Sequence, residues 1–111
     1  MKVPNSNKAK ISNEKILNYL LSETHPIGKS KAKFFRKYGF NENNFTDLKK
    51  ALYDLLQNYD ITDETASPYG IKYTVDGQIK TPSNKLLKIR TVWVAEKEQS
   101  EIYLVTAYPT K

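Results

Sequence analysis

Cysteine is absent from this chain of 111 residues, and histidine occurs once, as His25. Disulfides, thiolate nucleophiles and cysteine metal sites are therefore excluded, and one histidine is too few for an ordinary zinc site, so we predict neither metal nor cofactor. No apolar run approaches the roughly 18 residues of a membrane span, and the first residues hold no apolar segment of signal-peptide length. We expect a cytoplasmic protein without a membrane partner, formed by a single domain over residues 1–111.

The sequence also has no glycine-rich nucleotide loop, since neither GxxxxGK[ST] nor GxGxxG occurs. No cluster of carboxylates suggests a two-metal nuclease. A nuclease built from this chain is therefore expected to be metal-independent. RNA supplies its own nucleophile, the 2′-hydroxyl, so such an enzyme needs only groups that move protons and stabilise negative charge.

Positive charge is abundant and unevenly placed. The 18 Lys and Arg residues outnumber the 12 Asp and Glu residues, which gives a net charge of +6 and a pI near 9.4. The segment 29–37 carries lysine or arginine at five positions and no acidic residue, whereas the acids concentrate in 47–64 and 96–101. Such segregation favours a polyanion partner through neutralisation of phosphates, although a charge of this size also simply keeps a small domain soluble.

Apolar periodicity divides the chain into a helical half and a strand half. A 3.6-residue period predicts helices over 13–22, 30–38 and 44–58. Alternation predicts strands over 71–80, 86–95 and 102–108, and their short connections imply antiparallel neighbours. Residues 1–11 are expected to be loosely ordered, and 60–70 to be a linking loop. The predicted core consists of Leu17, Leu20, Phe35, Leu48, Leu52, Leu55, Ile89 and Val105.

Local residues predict where the elements begin, bend and end. Ser12 or Asn13 is expected to cap the first helix and Ser30 the second, which should end at a glycine cap, Gly39. Asp76 and Gly77 suggest a bulge or tight turn inside the first predicted strand.

His25 lies between the first helix and a Pro-Ile-Gly turn, directly before the basic segment. An imidazole titrates near neutrality, so His25 is a candidate general acid or base, but a loop histidine with a structural hydrogen bond would occupy the same place. Ser30 and the amides after Gly28 lie at a helix N-terminus, a natural phosphate site. The further nucleic-acid-binding candidates in this helix are Lys29, Lys33 and Arg36, although their spacing equally fits a solvated helix face.

Three more cations, Lys72, Lys88 and Arg90, lie on the predicted strands. They point from one sheet face if the strand registers match, and a cationic face opposite a helix-covered face would suit a phosphodiester. The tyrosines of the strands and Trp93 offer rings for base stacking or, more commonly, for packing.

Four separated motifs resemble an uncharacterised bacterial domain family of nearly this length. They are THPIGKSKAKFF at 24–35, YGIKY at 69–73, TVWV at 91–94 and LVTAYP at 104–109. The resemblance covers most of the chain, from the first helix to Pro109. That family is in turn similar to the barnase, EndoU, colicin and RelE (BECR) superfamily of metal-independent ribonucleases, whose members place helices before an antiparallel sheet and often act as toxins.

The resemblance implies a catalytic set of His25, Lys31, Lys72, Thr106 and Tyr108. It gives His25 the acid–base role, makes Lys31 and Lys72 phosphate-binding cations, and sets the two hydroxyl residues at the end of the last strand. The family pattern predicts a basic residue just before Leu104, where this chain has Tyr103. Either Arg90 replaces that cation or activity is impaired.

The prediction is thus an α+β domain with N-terminal helices packed on one face of a C-terminal antiparallel sheet. Its first functional hypothesis is an endoribonuclease, in one version the toxin of a toxin–antitoxin module, that leaves a 2′,3′-cyclic phosphate. A non-catalytic nucleic-acid-binding domain and a protein-interaction module, such as an antitoxin or immunity protein, are the alternatives. The expected partners of a toxin are RNA and a small acidic antitoxin or immunity protein.

Overall fold

Helices occupy the first half of the chain and strands the second in the computed structural model, which describes residues 1–26, 28–68, 70–96 and 101–110. Three helical segments precede a four-stranded antiparallel sheet whose strands follow one another in the order of the sequence. The predicted α+β class, with the helices N-terminal to the sheet, is confirmed. Every helix within the described residues is too short or too polar to cross a membrane.

Helix α1 begins as an α-helical turn, Asn13–Lys15, and continues with π-helical hydrogen bonding over Ile16–Leu20. Ser12 caps it as predicted, because its hydroxyl oxygen accepts from the Lys15 amide at 3.0 Å. The widened turn closes where the Leu21 amide donates to the Ile16 carbonyl at 2.8 Å. π-Helical turns are rare in proteins, and those that occur are often located at functional sites.

Helix α2, Lys29–Lys37, ends at the predicted glycine cap. Gly39 adopts a φ of +101°, which favours glycine. The Phe40 amide donates to the Phe35 carbonyl, which satisfies an end carbonyl while Phe40 enters the core. The predicted start was wrong: the capping position is Gly28, and Ser30 lies inside the first turn without a capping bond.

Helix α3, Phe45–Asn58, follows a 3₁₀ turn, Glu42–Asn44, in which Asn41 and Asn44 form a reciprocal capping box. Its buried residues, spaced four, three and one apart, are Leu48, Leu52, Leu55 and Leu56. The helix therefore packs one apolar stripe against the sheet.

The sheet is a meander of β1, Asp63–Ser67; β2, Gly70–Lys80; β3, Leu86–Glu96; and β4, Ile102–Pro109. Strand β1 corrects the predicted linking loop over 60–70. All five of its residues are exposed, so it has no apolar alternation by which it could be recognised. Pairing across β2 and β3 is continuous at Asp76 and Gly77, which corrects the predicted bulge or turn. A Cβ at Gly77 would lie 2.6 Å from the Tyr59 ring, so the close approach of that ring requires glycine.

The irregularity in the sheet lies instead between β3 and β4. Their register shifts opposite Val92 and Trp93, so that Leu104 and Ala107, three residues apart, are both buried. Val105 is displaced outward and 38% exposed, against our prediction, and Leu17 is only half-buried. The other predicted core residues, Leu20, Phe35, Leu48, Leu52, Leu55 and Ile89, are buried.

The N-terminal segment, predicted to be loosely ordered, makes specific contacts with the rest of the fold. Val3 and Ile11 are buried in the core. Lys10 forms a parallel bridge to the edge of β4, donating its amide to the Ile102 carbonyl and accepting from the Leu104 amide. This pairing covers the first part of an otherwise open strand edge.

Candidate functional site

Tyr19 stands at the centre of a group of polar side chains beside β4. Its hydroxyl shares a hydrogen bond with the Thr106 hydroxyl, with the oxygens 3.0 Å apart. The Lys15 and Lys31 ammonium groups lie 4.9 and 5.4 Å from its ring centroid. The His25 ring meets it edge to face at 5.0 Å. We call these five residues, Tyr19, Thr106, Lys15, Lys31 and His25, the Tyr19 cluster.

Local structure explains how these residues meet. Lys15 and Tyr19 are four residues apart on α1, so both lie on one side of it. Gly28 lets the turn before α2 press against α1, because a Cβ there would lie 2.2 Å from the Tyr19 carbonyl oxygen. Lys31, in the first turn of α2, is thereby brought over the phenol ring.

The cluster perturbs the acidity of the phenol. Partial burial raises the pKa of Tyr19, but the hydrogen bond with Thr106 and the nearby ammonium groups of Lys31 and Lys15 lower it more strongly. The pKa of Tyr19 therefore lies below its usual value of 10.0. A phenol of this kind is a better proton donor than an ordinary tyrosine, and its phenolate is already provided with cations.

His25 uses one ring nitrogen for structure. Its Nδ1 accepts the Gly28 amide at 2.9 Å, and its backbone carbonyl accepts the Lys29 amide at 3.0 Å. The neutral ring must then carry its proton on Nε2. In this arrangement Nε2 donates and does not accept, so a base role for His25 would require the turn to give up the Gly28 bond.

The same bonds bear on the predicted phosphate site at the start of α2. Two amides of that turn, those of Gly28 and Lys29, already have acceptors in His25. The candidates Lys29, Ser30, Lys33 and Arg36 do line one open groove of about 530 Å³, together with Glu23.

Arg36 is engaged inside the protein. Its Nε and Nη2 donate to the Leu21 carbonyl at 3.0 and 2.6 Å, and it pairs with Glu23 and Glu42. The hydrogen bond to Glu42 holds the pKa of the Arg36 guanidinium above its usual range. Arg36 thus links α2 to the end of α1.

The strand cations share the sheet face that points away from the helices. In register, Lys72 is opposite Val94, Lys88 opposite Gln78 and Arg90 opposite Asp76. The guanidinium of Arg90 binds both carboxylate oxygens of Asp76, at 2.8 and 2.9 Å. Asp76 first, and Tyr108 after it, hold the pKa of Arg90 above its usual range.

Thr106 of the Tyr19 cluster lies on this same face, as do the predicted catalytic residues Lys72 and Tyr108. Lys72 lies on β2, two strands away from Thr106, and Tyr108 lies opposite Arg90 on β3. Arg90 is also no neighbour of Tyr103, which pairs with Val94. Tyr19 thus contacts His25, Lys31 and Thr106, while Tyr108 lies two residues beyond Thr106 on the same face and Lys72 lies two strands away.

Tyr19 and Lys15 were missed by sequence reasoning. The four-residue spacing between them was the available signal, since it puts an ammonium beside a phenol on one helix face. In the part of the chain that the structure describes, no three His, Asp or Glu side chains are placed to hold a metal ion.

Helices followed by an antiparallel meander, with a polar cluster at the edge of its last strand, define an α+β domain of a recognised family. The chain belongs to the family described as domain of unknown function (DUF6883), which matches residues 2–111. The expectation of an uncharacterised domain family is therefore confirmed. No curated protein matches the chain.

A solved structure shares the fold. It is described as a contact-dependent growth inhibition toxin - immunity protein complex from Klebsiella pneumoniae 342. One of its chains superposes with a TM-score of 0.72 at 14% sequence identity, over 96% of this chain and 97% of that chain. The likeness covers the whole arrangement of helices and strands.

Proposed function

We propose that this protein is a metal-independent endoribonuclease, acting as the toxin of a toxin–antitoxin or toxin–immunity module. The observation that carries the proposal is the Tyr19–Thr106 hydroxyl pair, flanked by Lys15, Lys31 and His25. Proton transfer and cationic stabilisation of a phosphate are what RNA cleavage requires of a protein.

In the proposed reaction the RNA 2′-hydroxyl attacks the adjacent phosphorus, and its proton passes to water. The ammonium groups of Lys15 and Lys31 stabilise the negative charge of the phosphorane. The bond from phosphorus to the 5′-oxygen then breaks, and Tyr19 donates its proton to that oxygen. The lowered pKa of Tyr19 suits it to this step, since Thr106 and the two lysines stabilise the phenolate that remains. The products are a 2′,3′-cyclic phosphate and a 5′-hydroxyl.

In this scheme His25 donates from Nε2 to a phosphate oxygen and positions the turn through Nδ1. The acid role thus passes from His25 to Tyr19. Lys72 and Tyr108 lie on the same sheet face as Thr106, but this scheme gives neither of them a chemical step.

The test is cleavage of a short RNA, with the cyclic phosphate identified by mass spectrometry. Tyr19→Phe should slow cleavage by about 10²–10⁴, the usual contribution of a positioned acid. Tyr53→Phe is the matched control, because it also removes a phenol hydroxyl, in this case one on α3 that donates to the Asn7 carbonyl. Cleavage by Tyr19→Phe at the wild-type rate would refute the assignment of Tyr19.

A non-catalytic nucleic-acid-binding domain is the second candidate. It is favoured by the bond from Gly28 to His25 Nδ1, which gives the lone histidine a structural role. RNA binding by the wild type without any cleavage, under conditions in which the protein is folded, would select this candidate.

We also infer a protein partner, a small acidic antitoxin or immunity protein. The net charge of +6 suits an acidic inhibitor that competes with RNA, and the structural neighbour is described as a toxin–immunity complex. Co-expression with the product of the adjacent gene should suppress toxicity and give a complex on gel filtration. An adjacent product that is basic, or that does not bind, would count against this partner.

A further inference from the structure

A second groove lies beside the Tyr19 cluster, between the N-terminal segment, α1 and β4. Its volume is about 620 Å³, within the range of small-ligand sites. Ile11 and Leu104 contribute apolar surface, and Tyr103 contributes an aromatic ring. Three lysines also line the groove, namely Lys10, Lys15 and Lys49.

The charge in this groove favours an anion. Lys10 is neutralised by Glu101, whose carboxylate lies 2.7 Å from its ammonium. Lys49 donates to the neutral side-chain oxygen of Asn13 at 3.0 Å, and Lys15 lies over the Tyr19 ring. No acidic residue lines the groove within the described part of the chain. Lys15 and Lys49 therefore leave an uncompensated positive charge there.

The groove is continuous with the Tyr19 cluster in two ways. Lys15 belongs to both, as a lining residue of the groove and as a neighbour of the phenol. Along the edge of β4, Tyr103 and Leu104 line the groove, and Thr106 follows in the cluster. A chain bound at the cluster would therefore run directly into the groove.

We propose that this groove is a subsite for the nucleotide next to the cleaved phosphodiester of single-stranded RNA. Lys15 and Lys49 bind its phosphate, and the Tyr103 ring stacks on its base. Alternating cations and rings are the usual means of holding single strands without strict sequence preference. The inference rests on the proposed ribonuclease function for its substrate class, but it has its own readout in binding.

The experiment measures binding of fluorescein-labelled 2′-O-methyl RNA, of about eight nucleotides, by fluorescence anisotropy. Such RNA lacks the nucleophile and stays intact, so binding is measured whether or not the protein is an enzyme. Tyr103→Leu should weaken binding about tenfold, as expected for the loss of one stacked base. Lys49→Gln should weaken binding to all sequences and lower the slope of log affinity against log salt by about 0.7.

Matched variants separate contact from folding. Tyr103→Phe keeps the ring and should bind as the wild type does. Asn13→Ala removes the hydrogen bond from Lys49 but keeps its ammonium, so it too should bind normally. Lys85→Gln removes an equal charge in the turn between β2 and β3, at the opposite end of the sheet, and should have a smaller effect on affinity.

The outcomes distinguish this inference from the proposed function. Binding that is weakened in both Lys49→Gln and Tyr103→Leu supports the groove even if the wild type cleaves nothing. Wild-type affinity in both variants would overturn the proposal, as would an equal loss in Lys85→Gln. Binding of an acidic peptide in the groove, with no binding of the oligonucleotide, would assign the groove to a protein partner and also overturn it.

Discussion

Arg36 was predicted to contact nucleic acid, and in the structure it also links α2 to the end of α1, a role that stability measurements can test. Its Nε and Nη2 lie 3.0 and 2.6 Å from the Leu21 carbonyl oxygen, and its side chain is 23% exposed. Arg36→Met preserves most of the volume but withdraws these donors. Charge-assisted hydrogen bonds contribute about 1.5–3 kcal/mol each. Since both donors share one acceptor, we expect the variant to lose about 1.5–3 kcal/mol from the Leu21 contact alone.

Urea unfolding followed by the fluorescence of the buried Trp93 measures this loss. Arg36→Lys keeps the charge without the two-pronged donation and should recover only part of the stability. Glu42→Gln removes an exposed partner and should cost less than Arg36→Met. At a temperature at which all variants are folded, their RNA affinity should be close to that of the wild type. Wild-type stability in Arg36→Met, together with weakened RNA binding, would refute the structural role and restore the predicted one.

Three further perturbations test the cluster and its surroundings. A spectroscopic titration should show the lowered pKa of Tyr19 as a phenol ionisation below pH 10.0. Tyr19→Phe should abolish this ionisation, and Lys31→Met should raise the pKa of Tyr19. Because the folded-state pKa of Tyr19 is lowered, its contribution to stability is present above about pH 10 and is lost as the pH falls through the lowered value. Gly28→Ala should lower the free energy of unfolding by about 1–3 kcal/mol in urea, because its Cβ would lie 2.2 Å from a backbone oxygen. The hydrogen bond from Lys10 first, and that from Tyr103 after it, lower the pKa of Glu101. The stability that this contact contributes is therefore lost as the pH falls through the lowered pKa. Hydrogen exchange near Lys10 should then quicken, and Glu101→Gln should remove this pH dependence.

The strongly periodic parts of the fold were predictable from sequence because burial follows residue spacing there. Helix α3 and strands β2 and β3 each bury an apolar face that their sequences display. Strand β1 had no such signal, since it is held by backbone pairing to β2 and exposes every residue. Val105 was misplaced for a related reason: alternation assumes an unbroken register, and the shift opposite Val92 and Trp93 is a tertiary feature.

The candidate site was predictable only in part, because a sequence shows charges without their partners. Arg36 and Arg90 are as basic in the sequence as Lys31, yet the folded protein commits both to internal carboxylates or carbonyls. Lys31, His25 and Thr106, three of the predicted site residues, each contact Tyr19. The residue that joins them, Tyr19, lies on a helix that looked like ordinary core packing.

The pairing of Tyr19 with His25 also explains why a single histidine need not be the acid in this chain. A neutral imidazole that accepts through Nδ1 has only its Nε2 proton to give, and giving it up would leave an unstable anion. Protonating Nδ1 would supply an ordinary acid, but at the cost of the Gly28 bond that holds the turn against α1. Tyr19 has neither difficulty, since its phenolate is stabilised by Thr106, Lys31 and Lys15. Chemistry at this cluster is therefore expected to depend on the phenol and to use the histidine as a donor that fixes geometry.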